Sequence, residues 1–103
     1  MSALVYTPVA TRKDARSLAT RLLDEKLVAC ANILGEVKSL YDCDGERGEG
    51  REVGILFKTD AALLDRAVAR IEELHPYETP AVLGWRCDAP GEATRAWLGK
   101  LAL

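Results

Sequence analysis

Few side chains in this sequence could do chemistry. The only histidine, His75, lies between a helical pattern and a proline, and one of three cysteines, Cys43, stands between Asp42 and Asp44. A thiol nucleophile needs a nearby base, which His75 could provide. The flanking carboxylates, however, place negative charge beside the sulfur and blunt it as a nucleophile. The sequence therefore predicts no enzyme active site.

The same residues could instead bind a metal ion. Imidazole and thiolate are ligands for copper and zinc, and Asp42, Cys43 and Asp44 could add donors to His75 across a subunit boundary. A structural zinc site needs about four Cys or His ligands in close pairs, whereas this chain has one histidine and no CxxC pair. The residues alone leave two interpretations of His75 open, a metal ligand and an ordinary hydrogen-bonded side chain.

Length, charge and composition predict one globular domain spanning residues 1–103. Sixteen acidic and 14 basic residues give a formal net charge of −2, which argues against a nucleic-acid-binding protein because such proteins present basic surfaces. No apolar run approaches the roughly 18 residues of a membrane span, and the first residues lack the charge order of a secretory signal. We expect a soluble cytoplasmic protein without nucleic-acid or membrane partners.

The elements that must position these residues follow the order β-α-β-β-α-β, with a further helix at the C-terminus. Thr11 with Asp14 resembles a capping box before the first helix, and Asp60 caps the second. A glycine-rich loop over residues 42–50, with an Asp-Gly turn signal, joins the two central strands in a long hairpin. Two β-α-β halves joined in this way make the ferredoxin-like split βαβ sandwich, an α+β fold with both helices on one face of a four-stranded antiparallel sheet.

The second strand predicts an assembly. The run from Leu27 to Leu34 is apolar on both of its faces, which is typical of a strand that is covered on both sides. Gly35-Glu36 interrupts the run and predicts a bulge before the strand resumes. Since the helices of this fold cover one face only, we expect another copy of the chain to cover the other.

Two segments, in this order and separation, resemble one known family. Residues 25–33 are EKLVACANI and residues 75–80 are HPYETP, with Ser39-Leu40-Tyr41 between them. Together they resemble the CutA divalent-cation tolerance family, from Tyr6 to Leu101. The resemblance implies a ferredoxin-like homotrimer, associated with tolerance to copper and other divalent cations, without a defined reaction and similar in architecture to PII signalling proteins.

Departures from the family pattern weaken metal ligation. Cys43 stands where the family usually has an aromatic residue, and Gly35 replaces a common proline. A cysteine proposed as a metal ligand in some members has no counterpart among residues 6–8. Among the expected ligands only His75 is left, so we predict at most a weakly bound copper or zinc ion.

Two functions remain open on the sequence alone. The first is a trimeric cation-tolerance protein of the CutA type. The second is a PII-like signalling module that holds a small molecule or a protein segment in clefts between its subunits. In either case we expect Tyr41, Glu52, Lys58 and Tyr77 to line the inter-subunit cleft, next to His75.

Overall fold

The computed structural model describes all 103 residues as one antiparallel sheet with three α-helices. The elements in chain order are β1 (Ser2–Val9), α1 (Arg12–Asp24), β2 (Cys30–Cys43), β3 (Glu46–Asp60), α2 (Leu64–Leu74), β4 (Leu83–Arg86) and α3 (Glu92–Gly99), with 3-10 turns at Ala61–Leu63 and Lys100–Ala102. The strand order is β2-β3-β1-β4. The predicted α+β fold, βαββαβ with a C-terminal helix, is confirmed.

The hydrophobic core lies between one face of the sheet and helices α1 and α2. Alternate residues of the central strands face the helices, and Val5, Ile55 and Phe57 are fully buried there. Both predicted caps form. The Thr11 hydroxyl accepts a hydrogen bond from the Asp14 backbone N–H at 3.1 Å, and the Asp60 carboxylate accepts one from the Ala62 N–H at 2.9 Å, although a 3-10 turn precedes α2 here.

Strands β2 and β3 extend well past the rest of the sheet. Because β1 pairs with β3 only from Val53 to Asp60, residues 37–43 and 46–52 form a free two-stranded extension, which we call the ribbon. Its turn consists of Asp44 and Gly45 alone, with φ of 52° and 80°, the left-handed pair that a two-residue type I′ turn requires. The ribbon lengthens the molecule to 44 Å, against 26 and 22 Å in the other directions.

The sequence prediction of a loop over residues 42–50 was therefore wrong in extent. Residues 46–50 belong to β3 despite their glycines, because each pairs with a residue of β2 across the ribbon. An ion pair between the Arg47 guanidinium and the Asp42 carboxylate, with a shortest distance of 2.6 Å, joins the strands beside the turn. The predicted bulge is confirmed by a register shift between Ile33 and Gly35.

The second face of the sheet is only partly covered. Helix α3 packs on β1 and β3 and buries Leu98, which lies outside the core cluster and therefore on this second face. Beside it, β4 leaves Leu83 60 % and Trp85 45 % exposed. Exposed apolar patches of this kind mark association surfaces in many proteins. None of the helices has the length and apolar character needed to cross a bilayer.

Strand β4 packs so closely on α2 that Gly84 has no room for a side chain. A Cβ there would lie 2.8 Å from Val68 Cγ2 and 3.0 Å from Leu64 Cδ1. We expect Gly84→Ala to lower the free energy of unfolding by about 1–3 kcal/mol through overpacking, as measured by urea denaturation. Gly99→Ala, in the last turn of α3 with no heavy atom within 4 Å, is the matched control and should change stability by less than about 1 kcal/mol. Equal losses in the two variants would contradict this account.

Candidate functional site: the cleft beside the ribbon

His75 follows α2 directly and is only 7 % exposed. Its Nε2 lies 2.9 Å from the Pro8 carbonyl oxygen, and its Nδ1 accepts a hydrogen bond from the Tyr77 backbone N–H at 3.1 Å. A carbonyl oxygen can only accept, so Nε2 carries the proton and Nδ1 holds the lone pair. That lone pair is already used. In this arrangement neither ring nitrogen is free to bind a metal ion.

Residues 75–81, which we call the double-proline segment, are attached to two strands. Besides the His75 contact with Pro8, the Thr7 hydroxyl donates to the Ala81 carbonyl at 2.7 Å. The Tyr77 hydroxyl donates to Glu52 Oε2 on β3 at 2.8 Å. The two prolines of the segment, Pro76 and Pro80, also have a restricted φ. The segment is therefore a fixed wall standing against the sheet.

An open cleft of about 650 Å³ lies between this wall and the ribbon. Of the four residues predicted to line an inter-subunit cleft, Tyr41, Glu52 and Tyr77 line this cleft of the single chain. Lys58 does not, because it lies six residues beyond Glu52 on the same strand, about 20 Å away, where it pairs with residues of β1 and β2. Within one chain, the cleft is thus formed by β1, the ribbon and the double-proline segment.

Tyr77 has a perturbed hydroxyl. Partial burial raises its pKa to about 12, and the hydrogen bond to the Glu52 carboxylate and the nearby Asp14 charge act in the same direction. The physical reason is that an ionised phenol would lose water on one side and face negative charge on the other. Tyr77 therefore remains a hydrogen-bond donor to Glu52 well into the alkaline range.

Gly48 is a site residue that sequence reasoning missed, having been assigned to a loop. It stands opposite Tyr41 across the ribbon, and the Tyr41 ring lies over its backbone, so closely that a Cβ at Gly48 would be 2.6 Å from two ring carbons. The absence of a side chain at Gly48 thus sets the position of the Tyr41 ring in the cleft. The signal was an aromatic residue paired with a glycine, which is visible only once the strand register is known.

The expected metal donors do not converge within one chain. Cys43 is exposed next to the turn of the ribbon, with its sulfur 3.8 Å from the Asp44 carboxylate, and Asp42 is paired with Arg47. Both nitrogens of His75 are engaged elsewhere. No three His, Cys, Asp or Glu side chains are grouped so that they could hold a metal ion. These residues do not form a resident metal site in a single chain.

The fold and the cleft define a class of protein: a single ferredoxin-like α+β domain that carries a long β-ribbon and a ligand-sized cleft beside it. The family model described as "CutA1 divalent ion tolerance protein" matches residues 3–100. The chain belongs to this family, and its function is divalent-cation tolerance of the CutA type.

Individual relatives agree with this assignment. The divalent-cation tolerance protein CutA of Pyrococcus horikoshii is 38 % identical over 95 residues, 92 % of either chain. The crystal structure of CutA1 from Ehrlichia chaffeensis has a TM-score of 0.90 at 31 % identity, covering 99 % of this chain and 95 % of that one. The chloroplastic CutA of Arabidopsis thaliana is 29 % identical over 97 residues, 94 % of this chain and 53 % of the plant protein.

These comparisons also limit what family membership implies. The descriptions of the family and of the Pyrococcus relative name cation tolerance and no reaction, and nothing in the comparisons favours the PII-like alternative. Because the Arabidopsis relative is chloroplastic, membership alone does not set the cellular location.

The Tyr77 hydroxyl should make stability depend on pH in the alkaline range. Its native pKa of about 12 lies above the ordinary 10.0, so its contribution is complete below pH 10 and is lost as the pH rises towards 12. We expect the free energy of unfolding of Tyr77→Phe, which has no phenol to ionise, to fall less steeply between pH 10 and 12 than that of the parent. Urea denaturation at stepped pH measures both curves. Parallel curves would contradict the prediction.

Proposed function

We propose that this CutA-type protein acts as a homotrimer in which neighbouring copies cover each other's second sheet face. The observation that carries the proposal is the exposure of Leu83 and Trp85 on that face, next to the partly buried apolar residues of β1 and β3. Covering such side chains contributes about 25 cal/mol for each Å² of apolar surface removed from water. A chain of 103 residues gains much from this burial because a small domain has a small core.

The free strand edges support a head-to-tail ring. The outer edge of β2 presents unpaired backbone groups along 14 residues, while β4 at the other edge of the sheet has only four. Such edges attract further strands. If strands of one copy extend the sheet of the next, the interface joins two different surfaces, and arrangements of this kind form closed rings. The trimer that the family resemblance implies is a closed ring of three.

Sedimentation equilibrium tests the assembly. At micromolar concentration we expect about three times the 11.2 kDa of one chain. Leu83→Glu, which places a charge on the second face, should shift the population towards monomer, because burying an unpaired charge is costly. Leu23→Glu makes the same change at a 42 % exposed leucine of α1, away from that face, and should leave the trimer intact. A parent mass near 11 kDa would reject the proposal.

We further propose that the clefts of the trimer are its binding sites, for a small molecule or a protein segment, lined within each copy by Tyr41, Glu52 and Tyr77. The support is the fixed wall described above. The hydrogen bonds of Thr7, His75 and Tyr77 order the double-proline segment before any ligand arrives. A preformed wall reduces the conformational entropy that binding must otherwise remove.

For metal ions we propose weak binding of copper or zinc through His75 only. An ion could reach a ring nitrogen only if His75 gave up its bond to Pro8 or to Tyr77, each worth about 1 kcal/mol.

We also propose a cytoplasmic location, supported by three free cysteines, which are typical of reducing compartments. A non-enzymatic role is proposed because the engaged nitrogens of His75 leave Cys43 without a base.

Calorimetric titration with Cu(II) and with Zn(II) tests the metal proposal. The parent should bind with a dissociation constant on the order of 1 mM, equivalent to about −4 kcal/mol, and His75→Ala should lose this heat. His75→Gln is the second variant, since its amide can still donate to Pro8 while the imidazole is gone, and Cys43→Ala is the control that should keep the heat. Unchanged heat in both His75 variants would exclude His75 as the ligand, and a flat parent trace would exclude metal binding.

A further inference from the structure

The cleft contains one negative charge that no side chain of the chain neutralises. Glu52 Oε2 accepts a hydrogen bond from the Tyr77 hydroxyl, which is a neutral donor. Arg51, its neighbour in sequence, lies towards Glu36 at 3.9 Å instead. The other carboxylate of the cleft, Asp42, receives two hydrogen bonds from Arg47. Glu52 is therefore the carboxylate in this cleft that has no positively charged partner within the chain.

Two aromatic rings accompany this carboxylate. Tyr41 comes from the ribbon and Tyr77 from the double-proline segment, so that the rings belong to opposite walls of the cleft. Tyr77 is held by its bond to Glu52 and by packing on the His75 ring, with 4.7 Å between ring centroids. The negative face of an aromatic ring attracts a cation, and apolar groups also pack on it. Asp14, at the start of α1, adds a further negative charge close enough to act on Tyr77.

We propose that this cleft binds an organic cation, whose ammonium group pairs with Glu52 and whose apolar body packs on Tyr41 and Tyr77. The proposal rests on the binding role proposed above for the cleft, and it names the class of ligand. A volume of about 650 Å³ is within the range of pockets for small organic molecules. An anion would meet the Glu52 carboxylate, while Arg51, which also lines the cleft, is turned towards Glu36, so the same cleft should reject it.

A substitution at Gly48 is an independent way to displace the Tyr41 ring, which belongs to one wall of the cleft. The atoms that a Cβ at Gly48 would meet are the outer carbons and the hydroxyl of Tyr41, the mobile end of a side chain, so Gly48→Ala should displace the ring without unfolding the ribbon. Gly99, at the end of α3, does not line the cleft, and a Cβ there would meet no heavy atom within 4 Å. Gly99→Ala is therefore the control for the same chemical change away from the cleft.

Three probes with one ring and different charges test the ligand class: benzylamine, benzyl alcohol and benzoate. Binding is followed by calorimetry and by NMR shifts of cleft residues on the intact protein. We expect benzylamine to bind with a dissociation constant on the order of 1 mM, about tenfold tighter than benzyl alcohol. Benzoate should not bind measurably.

Charge and ring variants then locate the site. Glu52→Gln keeps an oxygen for the Tyr77 hydroxyl but removes the charge, and it should reduce benzylamine binding to the level of benzyl alcohol. Glu49→Gln, an equally neutralising change on the same strand outside the cleft, should have no effect. Gly48→Ala should weaken benzylamine binding by about threefold, in line with one exposed cation–π contact, and Gly99→Ala should not.

The outcomes separate this inference from the proposal on which it rests. Benzoate binding more tightly than benzylamine, with shifts at Tyr41 and Tyr77, would overturn the cation class and keep the cleft as a binding site. No binding by any of the three probes would overturn both. Benzylamine binding that is equally strong in Glu52→Gln and in the parent would also overturn the inference, because the charge would then have no role.

Discussion

The pairing register of β2 with β3 is the constraint on which the rest of this structure depends. The Asp44-Gly45 turn and the bulge after Ile33 set which residues face each other over the whole hairpin. A shift of β2 by one residue would reverse the two faces of that strand, because β3 is also held by its pairing with β1. Ala31 would then turn away from the core, and Tyr41 would no longer stand over a glycine. Core and cleft are thus specified by the same register.

The double-proline segment depends on that register in turn, because its wall needs a strand to stand against. Tyr77 bonds to Glu52 of β3, and His75 bonds to Pro8 of β1. These bonds also explain why the single histidine of a cation-tolerance protein is buried and fully hydrogen-bonded. Its Nε2 ties the segment to β1 and its Nδ1 accepts the Tyr77 N–H within the segment, which gives this side chain a structural role in the single chain.

The single chain of this family member exposes apolar and charged surfaces and has no cluster of three His, Cys, Asp or Glu side chains that could hold a metal ion. The second face of the sheet exposes Leu83 and Trp85, and the cleft exposes Glu52 between two tyrosines. Both features lie at edges of the domain, where a further copy or a ligand can reach them. The opposite face of the sheet, by contrast, is covered by α1 and α2. Arg70 of α2 pairs with Glu25 at the end of α1 and lowers the pKa of the Glu25 carboxyl.

The sequence by itself determined the order of elements, the caps at Thr11 and Asp60, the Asp-Gly turn and the bulge near Gly35. Each of these depends on residues close together in the chain, so a local pattern is enough to predict it. Only the tertiary structure decided that Tyr77 reaches Glu52 across 25 positions of sequence, that Lys58 lies far from both along its strand, and that both nitrogens of His75 are engaged. It also turned the glycine-rich residues 46–50 into strand, since their conformation is set by pairing partners on β2. Contacts of this kind follow from strand register and from the path of a segment across the sheet, and neither is written in the spacing of neighbouring residues.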